Sequence, residues 1–565
     1  MIKKHGFYWL KVVRLGTMSK STFNTLSSSH LGKDLLGGFT AALAALPLAL
    51  AFGVASGAGP TAGMYSAILV GFFAALFGGT FNQVSGPTAP MTILMTSILV
   101  SLQTKYPETG LLLAFNAVII AGLMQTAFGL LKLGHYFDMV PNLVIASFMS
   151  GIGIILIVLQ VGPLLGQSTA TSLMDSLRNI PVSSESINWS ALLLGILSLC
   201  IMVFWPKDLA KWFSPYLAAL LIGTVISLLW LAPASTPTIG EISTGLPDLY
   251  WPVFSMDVLS ELLYTATMLA LLGSIESLQT ALVVENLTNK PHYANKELIG
   301  QGIGNTIAGL FGGLPGAGAA IQTTANIQAG GGSGYAGASH AVCLLLVWII
   351  AGKYASYVPL AVLAGILIKV GFDLIEWTLF RKIKKLPLMT NILLFSVLFI
   401  TLFIGLLPAL LAGVFISNLI TVERLASIQL TRVRLTDGDR AIDTERPYDD
   451  LRLERHHGAA VLLHLGSQLS SGQERGLKQR LRAFTSHRMI VINLTKTSLV
   501  GDSPAMILDD IIREELNQDR QVLLVGMSES VEAALSPLGA IELVGHKWIF
   551  DELGLALDQV AKTLD

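Results

Sequence analysis

The sequence predicts a polytopic α-helical membrane protein with a small α/β domain towards its C-terminal end, and three observations carry that reading. Of the 565 residues, 52% are hydrophobic and 13% charged, with a mean hydropathy of +0.64, a balance outside that of soluble multidomain chains. Apolar runs of the length needed to cross a bilayer, about 20 residues, begin at Leu35 and recur as far as Val422. After Glu423 the composition turns abruptly charged, and short apolar runs then alternate with amphipathic ones, as in a small α/β domain.

The formal net charge of -1 conceals an uneven distribution, since charged residues are dense before Asp34 and after Glu423 and sparse between. It gives no basis for a nucleic-acid partner. Cys200 and Cys343 both fall in apolar runs, so neither a disulfide framework nor a metal site is indicated. The first thirty residues carry Lys3, Lys4, Lys11, Arg14 and Lys20 among serines and threonines, without the apolar core and cleavage site of a signal peptide. They read as a cytoplasmic tail over 1–34, with a short amphipathic helix around 7–15.

Candidate spans lie at 35–57, 62–79, 87–102, 111–133, 140–165, 189–205 and 215–231. A second set lies at 259–288, 298–311, 317–327, 336–351, 359–375, 390–404 and 405–422. The transmembrane domain thus covers 35–422 as two repeats, about 35–231 and 259–422. Seven spans per half force the second repeat to enter the membrane in the opposite sense, an inverted-topology repeat. Charge placement agrees. With the N-terminus inside, Lys132, Lys207, Lys211, Lys290, Lys296, Arg381, Lys382, Lys384 and Lys385 fall on the cytoplasmic side, and Lys105, Arg178 and Lys353 outside. Both termini are then cytoplasmic, in an inner or plasma membrane.

Glu276 stands out in the eighth span, where a lone carboxylate costs roughly 2.5 to 3.5 kcal/mol to insert. Gly273, Glu276, Ser277 and Thr280 share one face of that helix by their spacing of three and four. Either Glu276 bonds a neighbouring helix and holds packing together, or it serves an ion or a proton. The third span of each half favours the second reading, because both are interrupted: Asn82 to Thr92 reads NQVSGPTAPMT and Gly312 to Asn326 reads GGLPGAGAAIQTTAN. Pro87 fits the first turn of a helix preceded by extended chain. Irregular backbone at membrane depth is tolerated where it lines a cavity, and a matched pair of interrupted spans marks a transporter's binding site. Two half-helix N-termini meeting near the midplane aim amides and positive dipole ends at one spot, which suits an anion. The hydroxyls of Thr88, Thr92, Thr323 and Thr324 are further candidate donors.

Beyond a linker at 423–458, the stretches 459–465, 489–494 and 521–525 read as strands and 473–483, 503–516, 528–535 and 553–563 as helices. Ser503 is the expected N-cap of its helix, with Pro504 at the first helical position. No nucleotide-binding glycine loop, metal cluster or nucleophile-base pair stands out in this domain. No enzyme activity and no cofactor beyond a coupling ion are expected.

The motifs Ala45 to Gly59 (ALPLALAFGVASGAG), Gly86 to Thr92 (GPTAPMT), Asn295 to Asn305 (NKELIGQGIGN) and Gly309 to Gly313 (GLFGG) resemble the sulfate permease (SulP) family of anion transporters. Within it the chain is similar to the BicA-type sodium-dependent bicarbonate transporters. The resemblance spans nearly the whole chain. It implies a 7+7 inverted repeat with core and gate domains, a homodimer embedded in lipid, and a cytoplasmic STAS domain over 459–565. In the related anti-sigma-factor antagonists a serine near the position of Ser503 is phosphorylated. On this basis the substrate anion is expected at Thr88, Ala319, Ala320 and Ile321, and the coupling ion, sodium or a proton, at Glu276, Thr280 and Gly318. Two positions depart from the BicA-type pattern, which has aspartate where this chain has Glu276 and threonine where it has Ala320. Bicarbonate with sodium symport leads, with proton-coupled sulfate or dicarboxylate transport, or an anion channel on the same fold, as alternatives.

Overall fold

The computed structural model describes residues 31–168, 172–178, 187–210, 213–230, 236–240, 249–252, 256–430, 434–436, 458–465, 468–469, 481, 487–499 and 502–565. The amphipathic helix expected at 7–15 and, apart from Leu481, the helix expected at 473–483 lie outside them. The chain divides into two compact units at Val414.

In the first unit every expected span is met by an element. The first repeat runs α1 (Leu31–Ser56), α2 (Pro60–Phe77), β1 (Ser85–Pro87), α3 (Ala89–Lys105), α4 (Gly110–Leu130), α5 (Asn142–Leu159), α6 (Trp189–Phe204) and α7 (Pro215–Trp230). The second runs α8 (Met256–Thr288), α9 (Ala294–Leu310), β2 (Gly316–Gly318), α10 (Ala320–Gln328), α11 (Gly334–Ala351), α12 (Leu360–Leu374), α13 (Leu388–Phe403) and α14 (Leu406–Leu430). Among the described residues seven helices are long and apolar enough to cross a membrane alone, and α6, α7 and α13 are shorter apolar helices. Four expected spans remain: α12 is 15 residues long and carries Lys369 and Asp373, and the other three are short or polar for a physical reason. α3 and α10 are half-helices completed by a strand, and α9 carries a polar stripe that only a protein interior tolerates. Phe204, Leu229, Ile350 and Leu388 are exposed on the outside of the unit, the surface that lipid covers.

Packing separates this unit into two bodies. α9 lies against α4 and α2, α11 against α1 and α2, α8 against α4, and α10 against α1, forming the core body. α12 packs on α6 and α5, α13 on α5, and α7 on α6, forming the gate body. β1 and β2 pair antiparallel inside the core body, with Gly86 opposite Ala317. Antiparallel pairing of matching segments means that the repeats run through the membrane in opposite senses, as an inverted repeat requires.

The second unit is an α/β domain. A sheet in the order β3-β4-β5-β6-β7 joins β3 (Arg434–Thr436), β4 (Ala460–His464), β5 (Met489–Asn493), β6 (Gln521–Val525) and β7 (Ile549–Phe550). β3 is antiparallel to β4 and the other pairs are parallel. Both faces are covered, which is why the strands read as unbroken apolar runs. Val461, Leu463, Ile490, Ile492, Val522 and Leu524 meet Leu508 and Ile512 of α15 (Asp502–Asn517) and Val531 of α16 (Glu529–Leu535) on one side. Ala460, Leu462, Val491 and Leu523 meet Leu557 and Val560 of α17 (Leu553–Leu564) on the other.

Three boundaries differ from expectation. The linker expected at 423–458 is not wholly linker, since α14 continues to Leu430 and β3 belongs to the sheet; a three-residue edge strand has too short a pattern to read. α3 starts at Ala89 rather than Pro87, because Pro87 completes β1 and Pro90 occupies the first turn. α15 starts at Asp502, so Ser503 lies inside its first turn rather than at the cap. Proline is tolerated throughout a first turn, whose amides lack intrahelical partners, and therefore fixes a start only to within a few residues.

Candidate functional site

The site is built where β1 and β2 cross. Each strand leads directly into a helix, with Thr88 at the N-cap of α3 and Ala319 at the N-cap of α10, both in extended backbone. Because the strands are antiparallel, the two helices leave in opposite directions and their positive ends face back towards the crossing. The polar face of α8 lies across it. Thr88 Oγ1 donates to Glu276 Oε2 at 2.8 Å. Thr280 Oγ1 donates to the Gly318 carbonyl at 2.8 Å, and the Gly318 amide donates to Ser277 Oγ at 3.2 Å. α8 therefore holds the first half-helix through Glu276 and the second through Ser277 and Thr280. Glu276, Ser277 and Thr280 are all buried.

The expected residues thus come together, with changes of role. The Ala319 amide donates to the Val84 carbonyl at 2.8 Å as an extension of the strand pairing, so it is not a free donor. Helical geometry leaves the first-turn amides of Ala320, Ile321 and Gln322 without intrahelical acceptors. Of the candidate hydroxyls, Thr88 donates to Glu276, Thr323 bonds the Val84 amide and carbonyl, and Thr324 donates to Ala320. Thr92 Oγ1 has no partner among the described residues.

From the first turn of α10 a cavity of about 390 Å³ opens between the core and gate bodies. Ala320, Ile321 and Thr324 line it from α10, Thr40 from α1, and Ser214 and Tyr216 from the start of α7. No lysine, arginine, aspartate or glutamate lines it among the described residues. It leads to the side on which α1 and α7 begin. Among the described residues, the attraction it offers an anion is that of the α10 helix end.

Residues that reading the sequence for chemistry passed over hold the crossing from behind. Glu297 Oε2 accepts the amides of Gly79 and Thr80, each at 2.9 Å, and its Oε1 accepts Gln83 Nε2 at 2.9 Å. Asp34 Oδ1 accepts the amides of Gly332 and Ser333 after α10, and its Oδ2 accepts the Ser333 hydroxyl. His340 of α11 is buried beside β1 with neither ring nitrogen partnered among the described residues. The i, i+4, i+8 spacing of Glu297, Gln301 and Asn305 was the available signal. It lies within the Asn295 to Asn305 motif and marks one polar face of the helix.

Comparison with known proteins agrees with this architecture. Residues 31–401 match the model of the Sulfate permease family and residues 450–556 that of the STAS domain. The chain is 39% identical over 546 residues to the "Bicarbonate transporter BicA" of Synechocystis sp., covering 96% of each chain. It superposes on the transmembrane domain of a cyanobacterial bicarbonate transporter BicA with a TM-score of 0.65 and 45% identity, over 70% of this chain and 100% of that one. On the murine anion transporter Slc26a9 in its inward-facing state the TM-score is 0.77, at 17% identity, over 100% and 96% of the chains; this last match bears on the fold alone. An interrupted-helix crossing inside a polytopic bundle defines a membrane transporter and not an enzyme. The chain belongs to the sulfate permease family, with a STAS domain at its C-terminal end.

Proposed function

We propose that this anion transporter carries bicarbonate across the inner or plasma membrane by sodium symport. The observation that carries the reading is the bond from Thr88 at the head of α3 to the Glu276 carboxylate. It places a negative side chain next to the helix end that would attract the substrate. An anion entering a low-dielectric site beside a carboxylate is repelled, and the repulsion is strong at short range. A monovalent cation removes it. The oxygens of Glu276, Thr280 and Gly318 supply a carboxylate, a hydroxyl and an unwound-backbone carbonyl, the donor types transporters use for sodium, and Thr280 Oγ1 and the Gly318 oxygen already lie 2.8 Å apart. The anion then sits against the first-turn amides of α3 and of Ala320 and Ile321, in reach of the cavity. The 39% identity to a bicarbonate transporter over nearly the full chain supports the substrate.

Binding in this scheme is ordered, cation before anion, because the site repels the anion until Glu276 is neutralised. The excess of lysine and arginine in alternate loops supports cytoplasmic termini, which makes this cavity inward-facing. The STAS domain serves regulation or assembly of a homodimer. One observation favours a second reading: with Glu276 in place of aspartate and Ala320 in place of threonine, a proton on the carboxyl can replace sodium and the cavity gains room for sulfate or a dicarboxylate.

The test is uptake of labelled bicarbonate, sulfate and succinate into proteoliposomes, with sodium and proton gradients imposed separately. Bicarbonate accumulation driven by inward sodium is expected. Accumulation of sulfate or succinate driven by protons would establish the second reading. Equilibration without coupling to either gradient would make the protein a channel.

A further inference from the structure

The face of α9 formed by Glu297, Gln301 and Asn305 touches no part of the cavity, yet it bonds both strands of the crossing. A helical position shifts by only about 40° every four residues, so these three side chains form one stripe. At its first end Glu297 accepts the amides of Gly79 and Thr80 and the side chain of Gln83, all in the segment that enters β1. In the middle, Gln301 Nε2 donates to Ser85 Oγ of β1 and to Glu297 Oε1. At the far end Asn305 Oδ1 accepts the Gly316 amide at 2.7 Å while its Nδ2 donates to the Gly316 carbonyl at 2.9 Å and to Gln125 Oε1 at 2.7 Å. All three side chains are buried.

The rest of α9 is shaped to bring the stripe this close. A Cβ at Gly300 would strike the backbone of Gly78 on α2's C-terminal side, and one at Gly302 the backbone of Gly122 on α4. The helix therefore lies wedged between α2 and α4 at backbone contact, with the stripe directed between them at the strands. Gly316 is grasped at both its polar groups by one amide side chain, which sets the register of β2 as a neighbouring strand would.

We propose that Glu297, Gln301 and Asn305 are positioning residues that fix the two half-helix ends relative to each other, so that α9 sets the geometry of an anion site to which it contributes no atom. The inference rests on the proposed transport site but not on which anion fills it. The bonds of Gln301 and Asn305 each fall four residues ahead of a half-helix: the first holds the Ser85 side chain before Ala89, the second the Gly316 backbone before Ala320. Releasing one lets the amides splay and loosens the anion contacts, without altering the carboxylate of Glu276 or the cavity wall.

The experiment uses full-length protein in proteoliposomes and, as probe, whichever of labelled bicarbonate, sulfate and succinate the wild type accumulates, so an error about the substrate does not affect it. Gln301→Met keeps length and volume and removes both donors. Ser85→Ala removes the same bond from the other side, without touching α9. Each is expected to raise the KM for the anion about fivefold, the worth of roughly one hydrogen bond, with membrane yield and melting temperature near those of the wild type. The double variant should show little more than either single one, because both remove the same bond. An unchanged KM with Vmax falling in step with yield would overturn the proposal, as would full additivity of Gln301→Met and Ser85→Ala.

Discussion

At the residue scale the proposed transport turns on a carboxylate beside the half-helix end that would receive the anion. Glu276 accepts a hydroxyl hydrogen bond from Thr88, and a bond to a charged group is worth about 1.5–3 kcal/mol, which offsets much of the cost of insertion. That bond could serve packing alone, and replacement by the neutral isostere separates the two roles. Glu276→Gln keeps the bond from Thr88 and abolishes the need for a cation. The variant is expected to reach the membrane at wild-type level and to bind anion without sodium, while losing at least about tenfold of its gradient-driven accumulation, a cost of about 1.4 kcal/mol or more. Uptake with and without a sodium gradient reads this directly. A wild-type rate with an unchanged response to sodium and pH would make Glu276 a packing residue.

Elements act here through how close they can come. Gly318 passes between α8 and the Gln83 side chain, and a Cβ there would overlap Gln83 Nε2 and lie 2.9 Å from Thr280 Cβ. Gly318→Ala should therefore cost about 1–3 kcal/mol by overpacking and raise the KM for sodium, because the displaced carbonyl is the one Thr280 bonds. Thermal unfolding and sodium titration of uptake measure the two effects, and a wild-type sodium KM would remove Gly318 from the cation site.

In the STAS domain the corresponding element is α15, whose Glu515 accepts His487 Nε2 at 2.8 Å and Arg520 at 3.0 Å. Burial pushes the Glu515 carboxyl up, but the hydrogen bonds and charges of His487 and Arg520 outweigh it and hold the carboxyl below its ordinary value. A depressed carboxylate contributes stability that is present above the unfolded pKa, about 4.3, and is lost as pH falls through the lower folded value. Glu515→Gln should lower the domain's stability by about 1–3 kcal/mol at neutral pH. The gap to wild type should close as the pH drops below about 4.3. Amide exchange in β5 and β6 of the full-length protein follows it, and a gap independent of pH would show that the ionised pair is not what stabilises α15.

For the whole molecule the division at Val414 carries a prediction of its own. The crossing, its cavity and the buried carboxylates that hold them all lie before that point, so the membrane unit holds the whole of the proposed site. Truncation after Leu430, where α14 ends, should leave a folded protein that still accumulates substrate. Its rate or its oligomeric state should change, as a regulatory or assembly role of the STAS domain demands. Size-exclusion chromatography and uptake of the truncated chain test both halves of this. Loss of all transport with the fold retained would place the STAS domain inside the transport cycle.

What the sequence by itself determined was whatever depends on local period and composition. The apolar runs, the matched interruptions at 82–92 and 312–326, the shared face of Glu276, Ser277 and Thr280, and the three longer strands of the STAS domain were all legible, because burial, helix periodicity and proline chemistry act over a few neighbouring residues. The tertiary structure decided which groups meet. That Thr88 spends its proton on Glu276, that the Ala319 amide is taken by Val84 while those of Ala320 and Ile321 remain, and that Arg434 to Thr436 adds a strand to the sheet are pairings between residues far apart in the chain. The stripe of α9 shows the same division. Its spacing is visible in the sequence, but its partners, Gly79, Ser85 and Gly316, are chosen by how closely glycine lets three helices approach, and no local pattern records that distance.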